Sequence, residues 1–101
     1  MDFQVQISVP ALADLEEIMA YSWAMFPAYT ERFGSDLLNH VDLLKAFPYV
    51  GSPVLGTPGV RQLVHTPILI YYRVNVSRKL IEVLHFWHGS RQRLPATDEF
   101  P

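Results

Sequence analysis

The chain has 101 residues, half of them hydrophobic, which is enough for one domain with a single modest core. Charged residues make up only 18% of the sequence, which argues against a disordered chain. There is no cysteine, which excludes a disulfide framework, a thiolate metal site and a thiol nucleophile. No apolar run approaches the roughly 20 residues that span a bilayer. The first ten residues also lack the features of a signal peptide. We therefore expect a soluble cytoplasmic protein with no membrane partner.

The net charge of −2 is distributed unevenly along the chain. Residues 1–60 carry two basic and seven acidic side chains, whereas residues 61–101 carry six basic and three acidic ones. The positive excess in the second part can attract an anionic surface. Such unevenness is also common in soluble proteins, so both interpretations remain open.

The N-terminal part predicts one strand and two helices. Residues 3–7 alternate apolar and polar side chains, which is the pattern of a half-buried strand. Ser8 is a candidate N-cap, and Pro10 fits the first turn of the helix that follows and ends before Pro27. A second helix begins at Ala28. The apolar face of the first helix comprises Leu12, Leu15, Ile18, Met19 and Ser22, and that of the second comprises Tyr29, Phe33, Leu37, Val41 and Leu44.

The C-terminal part predicts a loop followed by three strands. Residues 48–59 hold three prolines and three glycines and read as a loop. Strands follow over residues 60–65, 68–74 and 80–88, and the short gaps between them indicate an antiparallel meander. The second of these strands is predicted to be central, because its first five residues are all apolar. The order predicts an α+β fold in which a two-helix hairpin packs on one face of an antiparallel sheet.

Several short segments, taken together in order and spacing, carry a family resemblance. They are ADLEEI (13–18) with Tyr21, FP (47–48) with Gly51, GVRQL (59–63), IYYRV (70–74), IEVL (81–84) and HGSR (88–91). With these segments the chain resembles the RelE/ParE superfamily of bacterial type II toxin–antitoxin toxins. The resemblance covers almost the whole chain and implies a single toxin domain over residues 1–101.

The resemblance implies a toxin held inactive, in a hetero-oligomeric complex, by an antitoxin encoded beside it, and a role in plasmid stabilisation. RelE-like members cleave mRNA in the ribosome, whereas ParE-like members inhibit DNA gyrase. The first-helix segment and the HGSR ending look closer to ParE-like members, and the chain lacks the strong basicity typical of RelE-like nucleases. We therefore expect a non-enzymatic gyrase inhibitor. The alternatives are a RelE-like nuclease and a degenerate toxin that keeps only antitoxin binding.

If the chain is an enzyme, the residues fit a metal-independent endoribonuclease. Such an enzyme needs a proton carrier and cations for the phosphorane, for which the candidates are Arg61, Arg73, His88 and Arg91. Each of these residues could instead have a purely structural role. Arg73, for example, could form an ion pair with Glu82. His85 and His88 are three residues apart on one strand, so their side chains should point to opposite faces.

Exposed aromatic and basic residues are the candidates for partner binding. The predicted partner surface comprises Trp23, Phe26, Tyr29 and Trp87, together with Arg91 and Arg93 after the last strand. The antitoxin's C-terminal segment, disordered when alone, would fold across the helical hairpin and the sheet. We expect no cofactor and no metal, since His65, His85 and His88 lack the one-face spacing of strand ligands.

Overall fold

A computed structural model describes residues 2–89 of the chain, so that Arg91 and Arg93 lie outside the described residues. The elements in chain order are β1 (Gln4–Ile7), α1 (Val9–Met25), α2 (Pro27–Asp42), a 3-10 turn (Leu43–Lys45), β2 (Ser52–Pro53), β3 (Val60–His65), β4 (Ile68–Asn75) and β5 (Leu80–His88). The predicted α+β class, the helical hairpin and the three-stranded meander are confirmed. The short strand β2 lies in the segment that was predicted to be a loop.

The five strands form one sheet in the order β1-β5-β4-β3-β2, so β4 is central as predicted. The sheet is mixed rather than wholly antiparallel, because β1 pairs with β5 in parallel. The helical hairpin is the cause. It returns the chain to the end of the sheet where β1 starts, and there the amide of Phe3 donates to the carbonyl of Lys45 at 3.0 Å. The meander then starts in the direction of β1, and its third strand runs parallel to β1.

A bulge interrupts the pairing of β4 with β5. Tyr72 pairs with Val83 and Tyr71 pairs with His85, which leaves Leu84 as an extra residue in β5. Such an extra residue reverses the faces to which the following side chains point. Val83 before the bulge and Phe86 after it therefore both face the helices, whereas Leu84 packs on the opposite side of the sheet.

Two apolar clusters lie on the two sides of the sheet. The main core joins the helices to one sheet face, and its fully or nearly fully buried members include Leu37, Val41, Leu44, Ile70, Tyr72, Ile81 and Val83. The second, smaller cluster on the opposite face contains Val60, Tyr71 and Leu84, with Leu69 and Trp87 packed against it. The first of these clusters fixes the helical hairpin on the sheet.

Helix α1 begins as predicted, and its buried face differs from the prediction at one position. The hydroxyl of Ser8 accepts a hydrogen bond from the amide of Ala11 at 3.2 Å, which is an N-cap bond. Ala11 is completely buried, whereas Leu12, which was predicted to belong to the apolar face, is 46% exposed. The prediction for Leu12 was wrong because the stripe passes through Ala11, Leu15, Ile18 and Ser22 at helical spacing, and the small alanine allows close approach to the sheet.

Gly51 lies in a corner that admits no side chain. Its amide donates to the hydroxyl of Tyr72 at 3.0 Å, and its carbonyl accepts from the Nε and Nη2 of Arg61 at 3.0 and 2.7 Å. A Cβ at this position would lie 2.6 Å from the carbonyl oxygen of Gln62 and 2.8 Å from the Tyr72 hydroxyl. One of these groups is backbone of β3 and the other is buried, so neither can move away cheaply.

We predict that Gly51→Ala lowers the free energy of unfolding by about 1–3 kcal/mol, the usual cost of overpacking a close-packed site. Urea denaturation followed by circular dichroism measures this change. Ser52→Ala, at the exposed neighbouring position, should stay close to wild type. Equal stability of the two variants would contradict the role given to Gly51.

Candidate functional site

An apolar groove lies between the tip of the helical hairpin and one end of the sheet. Its cavity of about 140 Å³ is lined by the helices and the strand ends, including Ile18, Tyr21, Phe26, Tyr29, Phe33, Pro67, Ile68 and His88. Phe33 and Ile68 belong to the buried core, so the floor of the groove is rigid. The groove can accept an apolar side chain of a partner.

The tip of the hairpin is fixed by a break in the helices and by a hydroxyl pair. Pro27 is at the start of α2, where a proline needs no amide hydrogen bond. The buried hydroxyls of Ser22 and Thr30 lie 2.9 Å apart, and Thr30 also donates to the carbonyl of Phe26 at 3.0 Å. These bonds hold α1 against α2, which leaves Phe26 at the turn and directed outward.

The rim of the groove is unusually apolar for a protein surface. Tyr21, Phe26 and Tyr29 line the cavity and are exposed by 59%, 56% and 55%, and Trp23 of α1 is 64% exposed. Contiguous exposed apolar surface of this kind marks interaction sites in soluble proteins. Of the predicted partner residues, Phe26 and Tyr29 line the cavity and Trp23 lies on the same hairpin.

Trp87 does not share this surface. It pairs with Leu69 in the sheet and packs with the second cluster, on the face away from the helices. Strict alternation along β5 would place it on the same face as Ile81 and Val83, and the bulge at Leu84 reverses that. The structure therefore brings Phe26 and Tyr29 together at the groove, leaves Trp23 elsewhere on the hairpin, and places Trp87 on the other face of the sheet.

Arg61 is engaged by the loop that precedes the meander. Besides its two bonds to the carbonyl of Gly51, its Nη2 donates to the carbonyl of Tyr49 at 3.1 Å. The guanidinium also lies over the ring of Tyr49, 5.2 Å from its centroid. These contacts make Arg61 a clamp on the segment from Tyr49 to Gly51, in the manner of a bidentate guanidinium fork.

The other candidates for phosphate chemistry lie apart. Arg73 contacts Glu82 at 3.7 Å, as the sequence suggested, on the face of the second cluster. His88 pairs with Ile68 and lines the groove on the helix face, while His85 pairs with Tyr71 on the opposite face. Arg61 and His88 share the helix face but lie at different levels of the sheet. Among the described residues, Arg61, Arg73 and His88 do not converge on one point.

Two contacts between histidine and a polar partner were not predicted from the sequence. Nδ1 of His85 lies 2.8 Å from the carboxylate of Asp14, which also accepts from the amide of Phe86 at 3.1 Å. Asp14 thus provides a hydrogen-bond acceptor on the outer edge of β5, past the point where β1 ends. The signal in the sequence was an acidic residue early in α1, which also fits a simple helix-dipole interpretation.

The second contact joins α2 to β3. The Nδ1 atoms of His40 and His65 lie 2.9 Å apart. Burial lowers the pKa of His65 below its ordinary value, the neighbouring His40 lowers it further, and Asp36 opposes both effects.

Within residues 2–89, no group of three or more histidine, aspartate or glutamate side chains is arranged to hold a metal ion. The helices of the same part of the chain are too short or too polar to cross a bilayer.

Comparisons with known proteins point to one family. The sequence model of the family described as ParE toxin of type II toxin–antitoxin system, parDE, matches residues 5–93. No curated protein matches the chain.

Several solved structures share the fold. The chain is similar to the chromosomal ParDE toxin–antitoxin system from P. aeruginosa, with 25% identity and a TM-score of 0.74 over 85% of this chain and 95% of that one. The toxin–antitoxin complex RelBE2 from Mycobacterium tuberculosis matches with 18% identity and a TM-score of 0.68 over 87% and 99% of the two chains. A mutant of the E. coli toxin RelE in the free state matches with 12% identity and a TM-score of 0.58 over 89% and 86%.

We predict that Asp14→Ala lowers the free energy of unfolding by roughly 1–3 kcal/mol, because the amide of Phe86 and the ring of His85 lose their shared acceptor. Thermal or urea denaturation measures the loss. Glu16→Ala removes an exposed carboxylate two residues away on the same helix and should have little effect. Similar losses in the two variants would mean that the edge contact contributes nothing specific.

Proposed function

This chain belongs to the ParE toxin family of type II toxin–antitoxin systems, and we propose that it inhibits DNA gyrase and is neutralised by a cognate antitoxin. The family match over residues 5–93 and the similarity to the ParDE system support this proposal. The proposal implies a cytoplasmic protein, because gyrase acts on the chromosome and on plasmids there. A role in plasmid stabilisation follows from the same proposal.

We favour a protein target because the candidate cations are already bound to other groups of the chain. Arg61 binds the carbonyls of Gly51 and Tyr49, and Arg73 contacts Glu82 on the other side of the sheet. A nuclease needs positive groups aimed at one phosphate, where charge develops in the transition state. Cations committed to protein partners on two faces favour a non-enzymatic inhibitor. Arg91 and Arg93 remain the proposed contacts with an anionic region of the target.

The groove supports the second part of the proposal, the antitoxin. An amphipathic helix that lays its apolar side chains into a hydrophobic groove is a common mode of peptide recognition. We propose that Phe26, Tyr29 and Trp23 receive such a segment, which folds as it binds and buries the exposed aromatic rim. The toxin and antitoxin would then form a hetero-oligomer.

A RelE-like mRNA endonuclease acting in the ribosome is the second candidate, with Arg61, Arg73, His88 and Arg91 as its residues. The fold of this chain is similar to the folds of RelE and RelBE2, which is why we retain this candidate. A degenerate toxin that retains only antitoxin binding is the third candidate.

We predict that the purified chain stops supercoiling by gyrase in vitro and leaves translation in a cell-free extract intact. The measurement is a gel assay of relaxed plasmid incubated with gyrase and increasing amounts of toxin. The purified antitoxin should restore supercoiling at stoichiometric amounts, which provides the control for non-specific inhibition.

Two outcomes would overturn this assignment. Ribosome-dependent cleavage of mRNA that is lost in Arg61→Ala or His88→Ala would establish the nuclease instead. Because Arg61 also holds the loop, the folding of both variants is checked by circular dichroism. Normal growth on strong induction without antitoxin would favour the degenerate toxin.

We predict that Phe26→Ser weakens antitoxin binding by about 30-fold, or about 2 kcal/mol, as expected for an aromatic anchor at the centre of an interface. Isothermal titration calorimetry with the antitoxin measures the change in Kd. Phe47→Ser is the matched control, since Phe47 is 58% exposed against 56% for Phe26 but follows α2 at the other end of the hairpin. Equal effects of the two substitutions would locate the antitoxin elsewhere.

A further inference from the structure

The pair formed by His40 and His65 takes no part in the proposed function. His40 lies in the last turn of α2, and His65 is the last residue of β3. Their Nδ1 atoms are 2.9 Å apart and their rings are tilted by 55°. Two ring nitrogens at this distance either share one proton in a hydrogen bond or bind one cation between them.

The separation of the two nitrogens fits neighbouring positions around a metal ion. A metal–imidazole bond of about 2.0–2.1 Å places two nitrogens at a right angle about 2.9 Å apart, which is the cis arrangement of tetragonal Cu²⁺ or Ni²⁺. The tetrahedral angle preferred by Zn²⁺ requires about 3.3–3.4 Å, which a small rotation of either ring supplies. The observed 2.9 Å therefore lies within the range of metal chelation.

The ring of His65 is held in place by its neighbours. Phe33 packs against the ring of His65 with centroids 6.3 Å apart, which restricts the ring. Asp36 lies one helical turn before His40, and its negative charge acts on His65. That carboxylate makes a long, exposed contact of 3.9 Å with Arg32.

We infer that His40 and His65 form a two-histidine site for one divalent late transition-metal ion, bound through both Nδ1 atoms. Water completes the coordination, and Asp36 supplies the nearby negative charge that partly balances the ion. Both rings then carry their proton on Nε2. The ring that holds its proton on Nδ1 in the metal-free protein transfers it to Nε2 through solvent, so two neutral rings release no net proton.

Such an ion would add a direct link between α2 and β3, which already share the main core. Helix α2 packs mainly against α1, and β3 packs mainly against its neighbouring strands. The two histidines are separated by 25 residues in the sequence, so the unfolded chain does not hold them together. Because the ion binds the folded arrangement only, it raises the melting temperature by mass action. The site is independent of the proposed gyrase or antitoxin contacts.

The test uses the full chain without an affinity tag, freed of metal by a chelator and titrated with Ni²⁺ in a calorimeter. We expect one Ni²⁺ per chain and a rise in melting temperature. His40→Gln and His65→Gln should each weaken binding by about 100-fold, because the loss of one ring removes the chelate effect. His88→Gln should bind as wild type, since His88 lies two strands away from His65 in the sheet.

A second measurement does not depend on the variants. In protein with ¹⁵N-labelled histidine, substoichiometric Ni²⁺ should broaden the ring signals of His40 and His65 before those of His85 and His88. Absence of saturable binding would overturn the inference, and so would Ni²⁺ binding that survives both Gln substitutions. Circular dichroism of the metal-free variants shows whether they fold. If either variant fails to fold, the order of broadening in the wild-type chain decides.

Discussion

The position of the helical hairpin depends on which groups hydrogen-bond the outer edge of β5 beyond the end of β1. β1 pairs with β5 only as far as Ile7 and Val83, whereas β5 continues to His88. An open strand edge presents unpaired backbone groups that must find partners. The amide and hydroxyl of Ser8 bond to the carbonyls of Val83 and Leu84, and Asp14 accepts from the amide of Phe86. α1 therefore lies along this edge, which brings the tip of the hairpin over the end of the sheet and creates the groove.

The bulge at Leu84 divides the sheet between two roles. On the helix face, the bulge allows both Val83 and Phe86 to enter the core. β5 therefore contributes apolar side chains to the surface covered by α1 and α2 both before and after the bulge. On the other face it brings Leu84 and Trp87 into the second cluster, near the level of Tyr71. One inserted residue thus sets which side chains line the groove and which lie behind the sheet. The residues that a phosphate-binding cleft would need are divided between the same two faces.

Local patterns in the sequence were sufficient to predict the helices and strands, but not to predict how these elements pair and contact one another. The N-cap at Ser8, the break at Pro27 and the bounds of β3 and β5 follow from backbone chemistry within a few residues. The parallel pairing of β1, the bulge at Leu84 and the clamp of Arg61 on Gly51 depend on contacts across the fold. Alternation predicted opposite faces for His85 and His88 correctly, because the bulge precedes both. Unbroken alternation from Val83 would put Trp87 on the helix face, and the bulge between these two residues places it on the other face.

Phe33 connects the groove with the two-histidine site. Its ring belongs to the core, lines the groove beside Tyr29 at a centroid distance of 5.8 Å, and packs against His65. An apolar side chain seated in the groove and an ion held by His65 would therefore meet the same ring from two sides. Phe33 is only 5% exposed and is already fixed by the core, so neither ligand has to order it. The groove and the two-histidine site are thus neighbours that fill independently.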